Sequence, residues 1–192
     1  PEHTGKLELP RGIAPLKEAH IRYLVHRGYD PSELVRLWGI KGIGLNSWLP
    51  WRLFIPIHYR GQTVSWTTRT ISGDDRVNRY ISANSQQEAI PHKTLLYGED
   101  YARHAIIIVE GPADVWRIGP GAVATFGTGF STDMVLKMVR YPVRAVCFDN
   151  DKAGNLASSK LYFRLLAFPG ETLQIKLNSK DAGAASDKEI RK

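Results

Sequence analysis

His104-Ala105-Ile106-Ile107-Ile108-Val109-Glu110-Gly111-Pro112-Ala113-Asp114 and Ala145-Val146-Cys147-Phe148-Asp149-Asn150-Asp151-Lys152-Ala153-Gly154 are the two stretches whose reading decides the fold. Each is a short apolar run, rich in β-branched residues, that stops on a carboxylate and turns. That is the pattern of a buried strand followed by a turn and a helix. In an open α/β sheet, ligands bind beyond the carboxyl ends of parallel strands. Glu110, Asp149 and Asp151 gathered there would form a hard-oxygen site suited to Mg²⁺, an ion that handles phosphates. The expected chemistry is phosphoryl transfer on nucleotides or nucleic acid.

Reading outward, strands are expected near 105–109, 122–125, 145–148 and 173–176, with helices near 113–118, 132–139 and 155–166. Strand and helix in alternation predict a parallel sheet of βαβ units. Gly111 permits a sharp turn and Pro112 opens a helix. Asp114 lies in the first turns, where the helix dipole favours an acid. Asp-x-Asp alone is common in loops. Here it gains weight because it follows one buried strand while Glu110 follows another. Thr125-Phe126-Gly127-Thr128-Gly129 reads as a tight βα turn or as backbone amides for a phosphate. Ser179-Lys180-Asp181 follows the last strand, with Asp181 a further metal ligand or neighbouring acid and Lys180 near a phosphate, or a solvated loop.

The half before the sheet has a different period. Residues 1–15 carry Pro1, Gly5, Pro10, Gly12 and Pro15 and read as a linker or arm. Helical spacing over 16–27 stops at Gly28, and Asp30-Pro31 caps a second short helix ending near Trp38-Gly39. Strands follow at 53–57, 63–69 and 79–82, with turns at Arg60-Gly61-Gln62 and Asp74-Asp75, and a helix is expected around 99–103. The predicted organisation is an arm at 1–15, an α+β subdomain at 16–103 and a Rossmann-like α/β domain with flanking helices at 104–192.

The 192 residues carry a net charge of +7, which suits a polyanionic partner as well as solubility. Cys147 is the single cysteine, so an internal disulfide and a zinc site of Cys-x-x-Cys pairs are both excluded; its apolar surroundings predict a buried core thiol. No run of about 18 apolar residues and no secretory leader is visible, so a cytoplasmic protein without membrane contact is expected. The opening Pro1 suits an excised or processed chain. Trp48, Trp51 and Trp66 are candidate stacking surfaces, with core packing the more expected role.

The segments Val109-Glu110-Gly111-Pro112-Ala113-Asp114-Val115, Phe126-Gly127-Thr128-Gly129, Asp149-Asn150-Asp151-Lys152-Ala153-Gly154 and Lys180-Asp181 resemble, in order, the Toprim domain of bacterial-type primases, topoisomerases, some nucleases and recombination mediators. Phe54-Ile55-Pro56-Ile57, Arg60-Gly61-Gln62-Thr63-Val64, Arg79-Tyr80-Ile81-Ser82 and Pro91-His92-Lys93-Thr94-Leu95-Leu96-Tyr97-Gly98 are similar to the strand pair and motifs ahead of that domain in bacterial and phage-type (DnaG-like) DNA primases.

The resemblance implies template-directed synthesis of short RNA primers on single-stranded DNA, with Mg²⁺ or Mn²⁺ on Glu110, Asp149 and Asp151 and with Asp181 beside them. It implies nucleic-acid or nucleotide contacts from Arg69, Arg79, Tyr80, Lys93, Lys152 and Lys180. The implied partners are the DNA template, ribonucleoside triphosphates, and a replicative helicase and zinc-binding module outside this chain; the implied setting is a bacterial cytoplasm or phage-infected cell. The sequence departs from the family pattern at Gly183, where a second acid often follows. Its rivals are a Toprim-type metal-dependent nuclease and a non-catalytic nucleic-acid-binding module.

Overall fold

The computed structural model describes residues 5–74 and 76–191. Residues 1–4 of the expected arm, Asp75 of the expected Asp74-Asp75 turn, and Lys192 lie outside the described residues. The chain divides into two compact units. One comprises Pro1–His58 with Gln62–His92, the other Tyr59–Gly61 with Lys93–Lys192.

The first unit is built on a five-stranded sheet of order β1-β2-β3-β4-β5. Its strands are β1 (Ile13–Ala14), β2 (Lys41–Ile43), β3 (Arg52–Tyr59), β4 (Gln62–Thr70) and β5 (Tyr80–Ser82). The predicted helical hairpin is present as α1 (Glu18–His26) and α2 (Pro31–Trp38). Asp30 starts α2 as read: its Oδ1 accepts from the amides of Ser32 at 2.8 Å and Glu33 at 3.3 Å. Gly39, in the left-handed region at φ 65°, ends it. Ile43, Leu49, Phe54 and Trp66 form the centre of the core. The indole of Trp66 donates to the Glu8 carbonyl at 2.8 Å, which ties the N-terminal segment to the sheet. Trp66 is thus a core residue, while Trp48 is exposed. A second knot is polar and buried: Ser65 Oγ, the His92 amide and His92 Nδ1 all meet Glu88 Oε2, at 2.7, 3.0 and 2.8 Å.

The segment 1–15 is not wholly irregular. Ile13 and Ala14 pair antiparallel with Ile43 and Gly42, forming an edge that sequence reading missed. Two-residue and three-residue strands flanked by Pro10, Gly12 and Pro15 carry no usable alternation. Gly42 has a packing reason instead: a Cβ there would stand 2.7 Å from the His20 ring.

The second unit carries a four-stranded, all-parallel sheet of order β7-β6-β8-β9. The strands are β6 (Ala105–Val109), β7 (Ala122–Ala124), β8 (Val143–Val146) and β9 (Glu171–Gln174), with helices α3 (Pro112–Ile118), α4 (Thr132–Met138), α5 (Lys152–Leu165) and α6 (Asp187–Ile190). Ile106, Ile108, Val123, Met138, Val146 and Leu161 lie at its core. Burying each of the larger side chains contributes about 1.5–3 kcal/mol.

β8 and β9 begin two residues earlier than the sequence predicts. The reason is Arg144, a charged residue that reads as solvent-facing but is fully buried inside β8. Its guanidinium donates to the carbonyls of Phe168 (3.4 Å) and Pro169 (3.0 Å) and to the Thr172 hydroxyl (3.2 Å). The expected helix at 99–103 is a single 3-10 turn, Glu99–Tyr101. There Asp100 takes another task, accepting the amides of Arg60 and Gly61 at 2.8 Å each. Those two residues have φ of 54° and 77°, which is the geometry of a two-residue hairpin turn. No helix among the described residues is long and apolar enough to cross a membrane.

Candidate metal centre

β6 and β8 are parallel neighbours, with Ile108 opposite Val146, so their carboxyl ends emerge together. Glu110 follows the first and Asp149 lies just beyond the second. The amide of Asp149 donates to Glu110 Oε1 at 3.1 Å. Helix α5 then starts directly over this pair. Asp151 caps it, accepting the Gly154 amide at 2.8 Å. Gly154 is buried against the two acids: a Cβ there would lie 2.7 Å from Glu110 Oε1 and would run into the Asp149 carbonyl oxygen. Gly154 is not a turn residue. Its position inside α5 is set by close approach instead.

The loop after β9 is zipped to the same corner. The Asn150 amide donates to the Lys180 carbonyl at 2.6 Å, and its side chain to the Leu177 carbonyl at 3.1 Å. Asp181 caps a 3-10 turn, Ala182–Ala184, by accepting the Ala184 amide at 2.7 Å. Asp114 does more than complement a helix dipole. Its two oxygens accept the amides of Gly111 (3.1 Å) and Gly183 (2.9 Å), bracing the 182–184 turn against the end of β6. Gly183, where the family pattern often has an acid, thus serves through its backbone. Glu189, which no sequence pattern singled out, accepts from the Asn178 and Ser179 amides and from the Ser179 hydroxyl, at 2.5, 3.2 and 2.6 Å.

Electrostatics mark the same corner. Burial and then the charges of Glu110, Asp114, Asp181 and Asp151 push the Asp149 carboxyl up to about 7. Burial likewise raises Glu110, opposed by the bond from the Asp149 amide and reinforced by Asp151, Asp114 and Asp181. The charges acting on Asp149 are all negative. A set of carboxylate oxygens that repel one another in this way fits a hard divalent cation. Among the described residues no three such side chains converge on one point as a finished cage. Asp151 and Asp181 each commit one oxygen to a helical amide.

The Thr125–Gly129 segment follows β7, and Phe126 sits in the left-handed region at φ 62°. Such a backbone costs a bulky residue on the order of 1–3 kcal/mol and needs support from its surroundings. The Gly127 amide donates to the Glu110 carbonyl at 2.8 Å, and the Thr125 hydroxyl to the Gly127 carbonyl at 2.7 Å. Lys93 Nζ donates to the Phe126 carbonyl at 3.1 Å. Lys152 and Lys180 are exposed.

In the first unit Arg69 and Tyr80 stand opposite each other on β4 and β5. Arg69 is buried; Nε donates to the Tyr23 hydroxyl at 2.8 Å and Nη1 to the Tyr80 hydroxyl at 2.5 Å. Its guanidinium lies 5.2 Å from the Tyr80 ring centroid. Tyr23, on α1, has no sequence signal linking it to this pair. Arg79 is exposed, and its carbonyl accepts from the Thr70 amide at 3.0 Å.

The parallel sheet with acids at its carboxyl edge defines a Toprim-class α/β unit, and residues 107–185 match the family described as Toprim-like. The chain as a whole has the fold of a DnaG-type primase core. It is 29% identical over 153 residues to a DNA primase from Pasteurella multocida (strain Pm70), covering 73% of this chain and 26% of that protein. It therefore spans about a quarter of the length of that relative. The solved Aquifex aeolicus primase, comprising zinc-binding and RNA polymerase domains, superimposes with a TM-score of 0.75 at 19% identity, over 87% of this chain and 52% of that one. The DnaG catalytic core gives 0.72 at 19% identity, over 88% and 68%. The primase fragment of the bacteriophage T7 primase-helicase protein gives 0.65 at 18% identity, over 98% and 82%.

Proposed function

We propose that this chain is the catalytic part of a DNA primase that joins ribonucleotides into a primer on a single-stranded DNA template. The observation that carries the reading is the pairing of Glu110 and Asp149 at the ends of adjacent parallel strands, with Asp151 and Asp181 acting on the same corner. Mg²⁺ or Mn²⁺ on these carboxylates would supply charge neutralisation at the triphosphate and at the attacking hydroxyl. Glu110, Asp149 and Asp151 would hold that charge, with Asp181 at its margin. Lys152 and Lys180 would offer ammonium groups to phosphate oxygens. Lys93 would fix the strained Phe126 loop so that its amides keep one orientation. Arg69, buried and bonded to two phenols, would hold Tyr80 in place beside the exposed Arg79, which would meet the template. Catalysis of this kind rests on positioning and electrostatics rather than on a covalent intermediate. A helicase and a zinc-binding module would act from outside this chain.

Ribonucleotide incorporation on single-stranded DNA with Mg²⁺ or Mn²⁺ tests the reading. Incorporation by the wild type, reduced about a hundredfold or more in Glu110→Gln and Asp149→Ala, is the expected result; loss of one oriented electrostatic group typically costs that much. Equal activity in the variants would remove the carboxylates from the mechanism. Metal-dependent cleavage without incorporation would make the protein a nuclease.

A further inference from the structure

The loop joining β2 to β3, Gly44 to Trp51, is the feature that the primase reading leaves unexplained. It carries two of the most exposed large apolar side chains in the structure, Leu45 at 64% and Trp48 at 60% of full exposure. It is nevertheless a built loop. The Ser47 amide donates to the Leu45 carbonyl at 2.9 Å, and the Leu49 amide to the Ser47 hydroxyl at 3.2 Å. The Ser47 hydroxyl in turn donates to the Arg11 carbonyl at 3.0 Å. Leu49 is buried as the anchor, and Trp51 closes the loop in the left-handed region at φ 52°, a strained conformation for a tryptophan. A bulky residue is held off its preferred backbone while an indole and an isobutyl group are held out in water.

The two chain segments that form the loop and its β1–β2 flank carry cations and no acids. No aspartate or glutamate occurs between Glu33 and Asp74, or between Glu8 and Glu18, and these are the two segments that the loop and its β1–β2 pairing bring together. The cations of those segments border the loop. Lys17 Nζ lies against Gly44, 3.0 Å from where a Cβ would stand, and Arg11 is hydrogen-bonded to the loop through its backbone. The adjacent acid, Glu18, is turned to Arg22 at 3.5 Å. Among the described residues no ion pair engages Arg11, Lys17 or Lys41, and all three are exposed.

The geometry points to this loop as a stacking platform for single-stranded nucleic acid, with a base on Trp48, apolar support from Leu45, and phosphates on Lys17 and Arg11. An aromatic plane flanked by cations is the combination that binds unpaired bases without reading their sequence. A protein partner would have to bury the same apolar pair beside cations that lack counter-charges. A polyanion supplies those charges itself. The loop joins β2 to β3, and at its end the Trp51 carbonyl accepts the Ile71 amide at 3.0 Å, just past the end of β4. The platform adds Trp48, Leu45, Arg11 and Lys17 to the contacts expected of the Arg69–Tyr80 pair. It rests on the reading of this chain as a binder of single-stranded DNA and adds to it a second place of contact.

Fluorescence anisotropy with a labelled oligothymidylate, in the absence of divalent metal, tests it on the 192-residue chain. Trp48→Ala is expected to weaken binding about tenfold, in line with the loss of one base–aromatic stack. Trp48→Phe should stay within about threefold of wild type, and Lys17→Ala should make the slope of log affinity against log salt shallower by about 0.7. Wild-type binding with Trp48→Ala unchanged would overturn the platform and leave the primase reading standing. No binding by the wild type at all would overturn both. A Trp48→Ala chain that binds DNA normally but changes from dimer to monomer in sedimentation would assign the patch to self-association, and would also overturn the platform. Lys17→Glu, on the exposed surface, repeats the test without touching the indole: it too must weaken binding.

Discussion

At the scale of single residues, the candidate centre depends on a side chain that is missing as much as on those present. Gly154 lets the first turn of α5 sit on Glu110 and Asp149, and any Cβ would displace one of them. Gly154→Ala should therefore act on both fold and site. Overpacking of this kind costs about 1–3 kcal/mol, and the expected outcome is a lowered urea midpoint together with a fall in incorporation larger than the stability loss explains. A variant with a wild-type midpoint and full activity would show that the acids do not need this closeness. The acids themselves were legible in the sequence because each ends an apolar run. The brace of Asp114 onto Gly183 and the grip of Glu189 on 178–179 were not, since both join residues far apart in sequence through backbone amides that leave no compositional trace. Burial of Cys147, in contrast, was readable from its neighbours, and burial raises its thiol to about 11, which makes it a slow nucleophile.

At the scale of elements, periodicity found most of the architecture and failed at the β1–β2 edge. The helices α1 to α5, the strands β3 to β5 and the four parallel strands were visible; β1, of two residues, and β2, of three, were not. What holds that short edge is a histidine. His20 accepts the Lys17 amide on Nδ1 at 3.1 Å, and Nε2 donates to the Ile43 carbonyl at 3.2 Å, pinning the start of α1 to β2. This arrangement requires the neutral ring, and burial holds its pKa below the ordinary 6.5, aided by the charge of Lys17 and opposed by the backbone bonds to Ile43 and Arg52. As pH falls below 6.5 the unfolded chain takes up a proton that the folded ring resists. The stability from this group is thus complete above 6.5 and lost on acidification. Denaturation midpoints followed from pH 7 to pH 5 should fall more steeply in wild type than in His20→Gln. Parallel lines for the two proteins would mean that His20 is not held neutral.

At the scale of the whole molecule, a basic chain carries a tight group of acids at one sheet edge, and the excess of positive charge lies elsewhere. The sequence made the two halves and their different periods readable. It did not reveal that Asp100 accepts the Arg60 and Gly61 amides, because that contact depends on two turn amides rather than on any apolar match. Nor did it reveal that the exposed Trp48 loop is tied to Arg11 and lies against Lys17. The account stands or falls on the carboxylates as a cation site, and that is measurable without turnover. Titration of the wild-type chain with Mn²⁺, followed by the loss of the free-ion electron paramagnetic resonance signal, should show saturable binding that Mg²⁺ competes away. Glu110→Gln and Asp149→Asn, melting as the wild type does, should bind at least about tenfold more weakly. Wild-type Mn²⁺ affinity in both variants would place the metal elsewhere and contradict the account.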